Sequence, residues 1–381
     1  MEAIQNLLPH FKNSLIDFQE MKNKGRKVIG YVPNGYIPEE LLHACGLVPL
    51  ALSRGGDPDP VAASTSYLAR FLDPFCRAQI GYRVLNEEPL YQMPDLLIVP
   101  ITDNHVRAIA DSWDFYTDVE VYRLGVPHVK AAHGFEYYLE GLRAFKEYLE
   151  QYTGIEITES ALKEEIHIAN QIRNLLLEIS LMRRADPPPI SGKEFIELNH
   201  SSFYTDRHLM LDNLKSVKNR LQVSESSGTA QPRVLLAGST MALGDSKLVD
   251  LLEAEGASVV IEEFSEGLRN YRQQTTVGDD IIKSLADSYF ANRIPDAFFR
   301  GAAKERIGFL TNLISDYKAD AVVWYTLMYR ESYDVEGYIL QRNLEKQGIP
   351  MLSLSSDYDD AETGSFKTRI ETFVDMIRKE H

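Results

Sequence analysis

Cysteine is scarce in this sequence: only Cys45 and Cys76 occur in 381 residues. That excludes a disulfide framework and any zinc or iron–sulfur site built from this chain's thiolates alone. Basic charge is short as well. Forty Lys and Arg stand against 56 Asp and Glu, a formal charge of −16 with a pI near 5.1. So little cation to replace condensed counterions argues against a nucleic-acid partner. An anionic small ligand needs only a local Arg, Lys or helix N-terminus and is not excluded. No run approaches the ~20 apolar residues of a membrane span. The N-terminal residues 1–26 carry charges throughout and read as an amphipathic helix rather than a secretory leader, so the expected location is the cytoplasm.

Several motifs are missing too. No Gly-x-x-x-x-Gly-Lys-Ser/Thr occurs, so P-loop nucleotide hydrolysis is not expected of this chain. No Gly-x-Gly-x-x-Gly follows a strand, and the two glycines of "AGSTMALGD" have the wrong spacing for a dinucleotide fingerprint. Gly-x-Ser-x-Gly and His-Glu-x-x-His are absent, which removes the simplest hydrolase readings.

What is present is an alternation of short apolar runs with helical patterns, in a chain 44% apolar and 25% charged. "KVIGYV", "LVPLAL", "DLLIVP" and "GVPHVKAA" (Gly125 to Ala132) read as four strands of a first α/β lobe, residues 27–133. Residues 134–221 are mostly helical; Thr158 caps a run from Ala161 to Ile179 and a further helix begins near Ser191. The polar stretch 222–232 reads as a linker. A second α/β cycle fills 233–381, with strands at "RVLLAGST", "ASVVIEEF", "ADAVVWYTL" and "IPMLSLSSD". The expected fold is therefore α/β, two Rossmann-like or flavodoxin-like parallel-sheet lobes with a helical connection. Ligands should sit in the crevice at the carboxyl ends of the strands.

Candidate chemistry clusters at those ends. Ile101-Thr102-Asp103-Asn104 forms a polar tip between a strand and a helix whose face carries Val106, Ile109, Ala110 and Trp113. Cys76 follows Asp73-Pro74 at a helix start, where the dipole and Arg77 would favour its thiolate; a small buried side chain is the other reading. Cys45 falls on the buried side of its helix and reads as structural. Glu40 and His43, three residues apart after the turn Asn34-Gly35-Tyr36, could meet as a carboxylate–imidazole pair; equally, Glu39 and Glu40 could simply complement the helix dipole.

"GYVPNGYIPEELLHACGLVPLAL", "FCRAQIGYRV", "PDLLIVPITDN", "GASVVIEEFSEGLR", "GIPMLSLSSDY" and "KTRIETFVDMI" occur in this order from Lys27 to Ile377. They resemble the 2-hydroxyacyl-CoA dehydratase / benzoyl-CoA reductase family. The length and "TDNHVRAIADSWDFY" are most similar to the C (gamma) subunits of the ATP-dependent benzoyl-CoA reductases. The resemblance implies an iron–sulfur cluster site, of the [4Fe–4S] kind, served by three loops. Its first cysteine falls on Cys76, its second on Asp103 and its third around Tyr329; Ser265 stands where relatives often carry Cys. With one of three thiols kept, the cluster is expected to be held largely by, or shared with, a homologous two-lobed partner subunit. ATP and Mg²⁺ then belong to further activator-type subunits, and reduced ferredoxin supplies electrons. The implied activity is reduction of benzoyl-CoA, or a related acyl-CoA, to a cyclic diene-carbonyl-CoA. Glu40 and His43 would position substrate or handle protons, and Tyr36 would touch the acyl group. A subunit of an (R)-2-hydroxyacyl-CoA dehydratase and a non-catalytic partner of a cluster-bearing homologue are the alternatives.

Overall fold

Parallel strands joined by helices must be covered on both faces, which is why the apolar runs are short and nearly continuous. The computed structural model describes residues 8–223 and 231–380. Helix α1 (Leu8–Asn23) leads to β1 (Val28–Tyr31), α2 (Glu39–Ala44) and β2 (Val48–Ala51). Helices α3 (Pro58–Ala63) and α4 (Pro74–Leu85) follow, then β3 (Leu96–Ile101), α5 (Asn104–Tyr116) and β4 (Glu120–Gly125). The helical segment runs through α6 (Ala132–Thr153), α7 (Glu159–Met182), α8 (Gly192–Ser201) and α9 (Arg207–Val223). The second lobe holds β5 (Arg233–Gly238), α10 (Lys247–Ala254), β6 (Ser258–Glu263), α11 (Leu268–Tyr271), α12 (Ile281–Ala286) and α13 (Ala303–Tyr317). It ends with β7 (Ala321–Leu327), α14 (Glu331–Glu345), β8 (Met351–Ser356) and α15 (Glu362–Glu380).

Both sheets are parallel and share one topology, β2-β1-β3-β4 and β6-β5-β7-β8. The central strands β1, β5 and β7 are buried at every residue. The edge strand β4 is not, and here the sequence expectation is corrected. The strand expected at Gly125 to Ala132 lies at Glu120–Gly125 instead. An edge strand needs no continuous apolar run: Glu120 takes the Tyr148 hydroxyl at 2.7 Å, and Arg123 reaches Asp111 and Asp114 on α5 at 3.1 and 2.9 Å. The apolar "GVPHV" just beyond it carries the stronger local strand signal. Most of the expected linker, residues 224–230, lies outside the described residues, as does the start of the N-terminal helix; α9 continues to Val223.

Local signals elsewhere act as chemistry requires. Thr158 caps α7 through the Ala161 amide, and Ser191 with Glu194 forms a reciprocal capping box on α8. The carboxyl edges of the two sheets face one another. The β2–α3 and β5–α10 loops pair directly, Leu243 N–H donating to Ser53 O at 2.8 Å and Gly55 N–H to Leu243 O at 3.0 Å. A Cβ on Gly55 would stand 2.6 Å from Ala242 Cβ and 2.8 Å from the Tyr358 hydroxyl, so glycine is what lets the lobes close here. One apolar core spans both lobes, with Leu97 and Trp113 from the first and Val234 and Tyr325 from the second.

Candidate functional site

The three loops singled out in the sequence do converge in the crevice. Asp73 caps α4, its Oδ1 accepting from the Cys76 amide at 3.2 Å. Asp103 caps α5 in the same way, Oδ1 accepting from the His105 and Val106 amides at 2.8 and 3.0 Å. The β7–α14 loop arrives from the other lobe, and the side chain it delivers is Arg330 rather than Tyr329. Tyr329 adopts φ +70° and packs edge-on against Phe71 at 5.9 Å. Arg330 ion-pairs with Asp73 (Nε to Oδ2, 3.1 Å) and donates from Nη1 to Asp103 Oδ2 at 3.0 Å. Burial alone would raise the Asp103 carboxyl; Arg330, the capping amides and His105 outweigh it and hold Asp103 below the usual carboxylate range.

Cys76 is 1% exposed beside this bridge. The expectation of an activated thiolate is corrected. Burial, then the negative charges of Asp73, Asp103 and Glu266, push the thiol well up, and Arg330 only partly opposes them. Arg77 is turned away, donating to Ser64 Oγ at 3.2 Å and to the carbonyls of Arg70 and Val61 at 2.9 Å. Cys45 is buried, its thiol bonded to the carbonyls of Leu41 and Leu42 at 3.3 Å and pushed up to about 11 by burial.

Glu40 and His43 share α2 but do not pair. Glu40 is 1% exposed, with Oε1 ion-paired to Arg173 on α7 at 3.0 Å and Oε2 accepting from the Tyr289 hydroxyl at 2.6 Å. Burial, with Arg207 and Arg26 nearby, drives the His43 imidazole well below its ordinary value, so it is neutral at pH 7. Tyr36 is buried and donates to Asp296 across the crevice; Arg293 lies over its ring at 5.0 Å. Ser265 accepts from Arg269 at 3.3 Å.

Sequence reading missed several neighbours. Glu39, not Glu40, lines a cavity of about 30 Å³ between the lobes, together with Arg173, Ser265, Arg269, Tyr289 and Arg293. That space suits a water or two. Glu39 accepts from Tyr31 at 2.6 Å, and burial raises its carboxyl. A wider groove of about 350 Å³ opens between α8 and the β5–α10 loop, walled by Ile196, Met241, Ala242, Leu243 and Val249 with Lys193 among its lining residues. Its volume is in the range of small-ligand sites. At its inner side Asp245 accepts from Tyr325 at 2.7 Å and is raised by burial to about 7. The Asp73-Pro74 helix start could have flagged Asp73 as a cap; nothing local marks Arg330, whose role depends on two carboxylates more than two hundred residues away.

Two parallel-sheet lobes with their strand ends facing define the class: a crevice-type α/β protein with its chemistry at loop tips. Comparison with known proteins makes this specific. Residues 34–377 match the family model described as 2-hydroxyglutaryl-CoA dehydratase, D-component, and the chain belongs to that family. It is 24% identical to YjiM of Escherichia coli (strain K12), whose name proposes a dehydratase subunit, over 96% of this chain and 95% of that one. It is 21% identical to the (R)-phenyllactyl-CoA dehydratase beta subunit of Clostridium sporogenes, over 94% of each chain. With the C-type benzoyl-CoA reductase subunit of Thauera aromatica it shares 21% identity, over 93% of this chain and 91% of that one. No helix among the described residues is long and apolar enough to cross a membrane.

The residues present do not fit the iron–sulfur cluster that the resemblance implies. Cys76 is the sole thiol among the three loops, Asp103 is engaged by Arg330, and Tyr329 faces Phe71. Among the described residues no three His, Cys, Asp or Glu side chains are grouped to hold a metal ion.

Proposed function

We propose that this chain is one subunit of a hetero-oligomeric cytoplasmic enzyme acting on an acyl-CoA thioester, beside a homologous two-lobed subunit that carries the iron–sulfur cluster. The observation that carries this reading is the family match, which extends over both lobes and the helical segment. The largely apolar groove of about 350 Å³ suits an acyl or pantetheine segment; the Lys193 ammonium in its lining is already paired with Asp250. Proton handling falls to Glu39, the carboxyl that faces the interlobe cavity. Glu40 acts behind the wall by holding Arg173 and Tyr289, Tyr36 lies beneath Arg293, and His43 follows on the same helix as Glu40, outside the lining. Cys76 keeps no metal-binding role in this reading.

The reaction taken first is ATP-dependent, ferredoxin-linked reduction of benzoyl-CoA to cyclohexadiene-carbonyl-CoA, with nucleotide hydrolysis in further subunits. The second reading, dehydration of an (R)-2-hydroxyacyl-CoA, is favoured by the dehydratase names of two of the relatives above. The complex purified anaerobically from its own cells distinguishes them. ATP consumed in step with every electron delivered, and benzoyl-CoA converted, support the reductase. Product formed with many turnovers per ATP, from a 2-hydroxyacyl-CoA, overturns it in favour of the dehydratase. Failure to convert either thioester overturns both.

A further inference from the structure

The three loops of the implied metal cradle meet on a guanidinium. Arg330 comes from the second lobe; Asp73 and Asp103 come from the first. The side chains of Arg330, Asp73 and Asp103 are 10%, 1% and 18% exposed. The two carboxylates divide their oxygens alike. Oδ1 of each accepts from the amides of the helix it caps, and Oδ2 of each faces Arg330. Tyr333 lies against the same guanidinium at 5.5 Å.

Charge explains why these residues belong together. Asp103 alone, or Arg330 alone, would be a nearly buried ion without a counterion, and such an ion is strongly disfavoured. As a pair they satisfy one another and draw in Asp73, which helix capping supplies in any case. A positive group held between the two carboxylates of the cradle also repels ferrous or ferric iron and leaves Cys76 as a lone sulfur donor.

We propose that this chain binds no iron–sulfur cluster, and that the Asp73–Arg330–Asp103 bridge stands in the cluster's place, clamping the two lobes where iron would otherwise join their loops. The inference takes the identity of the cradle from the family resemblance, and it holds whichever acyl-CoA the complex converts. Its test reads iron and stability of this chain, not activity, so its failure is separable from failure of the proposed reaction.

The full chain is incubated anaerobically with ferrous iron, sulfide and dithiothreitol, desalted, and assayed for iron, acid-labile sulfide and the electron-paramagnetic signal after dithionite reduction. Wild type should retain less than about one iron and give no cluster signal. The double variant Asp103→Cys/Arg330→Cys, which restores three thiols with Cys76, should turn brown and retain about four irons. Arg330→Gln should lower the melting temperature by roughly 3 °C or more. A wild-type chain that takes up about four irons with a cluster signal overturns the proposal. A folded double variant that stays colourless overturns the claim that the bridge occupies the cradle. An Arg330→Gln chain that melts with wild type overturns the clamp, and one too unstable to purify supports it.

Discussion

Asp245 shows how single buried groups set the pH response of this molecule. It lies 4% exposed at the inner side of the apolar groove, and burial raises its carboxyl to about 7. The Tyr325 hydroxyl and Lys247 only partly offset that. In the unfolded chain the same carboxyl titrates near ~4. Between those values the folded protein keeps a proton that the unfolded chain has released, so stability is lost as pH rises from roughly 4 to about 7. Above that interval the penalty reaches up to ~4 kcal/mol for this one group. Asp245→Asn removes the charge and keeps an acceptor for Tyr325. Thermal melts should therefore show the variant more stable than wild type at pH 8 and nearly equal at pH 4. An equal difference at both pH values would refute burial as the cause. Asp103 has the opposite sign: held below its usual range, it adds stability that is present at neutral pH and lost as acid protonates it.

At the scale of elements, what could be read from the chain depended on whether a signal was local. Strands with apolar residues on both faces, such as "RVLLAG" and "AVVWYTL", are legible because burial of both faces forces a continuous run. The β4 edge strand was displaced because its stability comes from Arg123 and Glu120 reaching neighbouring helices, which no window of sequence displays. The cradle shows the same division. The three loops meet at the Arg330 bridge, and the side chain that reaches it is Arg330 rather than Tyr329, since φ +70° at Tyr329 turns its ring to Phe71. The carboxylate–imidazole pair of Glu40 and His43 failed for a related reason: Arg173, on a distant helix, claims the carboxylate. Gly55 gives an element-scale test of how the lobes meet. Its substitution by Val places branched carbon where Ala242 and Tyr358 already stand, and must push the β2–α3 and β5–α10 loops apart. Denaturant unfolding should show a loss of about 1–3 kcal/mol. A Val variant of unchanged stability would mean that these loops separate freely and that their pairing contributes little.

At the scale of the whole molecule, two exposed aromatic groups are unusual for a chain so rich in acidic residues. Phe71 is 62% exposed and Phe115 81%, although each is large and apolar. Tyr67 stands edge-on to Tyr116 at 5.0 Å, and Tyr116 to Phe115 at 4.8 Å; Phe71 touches Tyr329 at 5.9 Å, close to the Arg330 bridge. Scattered apolar side chains on a surface need no explanation, but neighbouring aromatics beside a candidate site mark an interaction surface. We predict that these aromatics form part of the contact with the homologous subunit of the proposed complex. Phe71→Asp/Phe115→Asp removes that apolar area without touching the core. The variant should melt within about 0.5 kcal/mol of wild-type stability, as surface changes generally do. Purified under native conditions from its own cells, it should sediment as a free chain, whereas the wild-type chain travels with its homologue. Retention of the homologue by the charged variant would move the subunit contact to another face and separate it from the cradle.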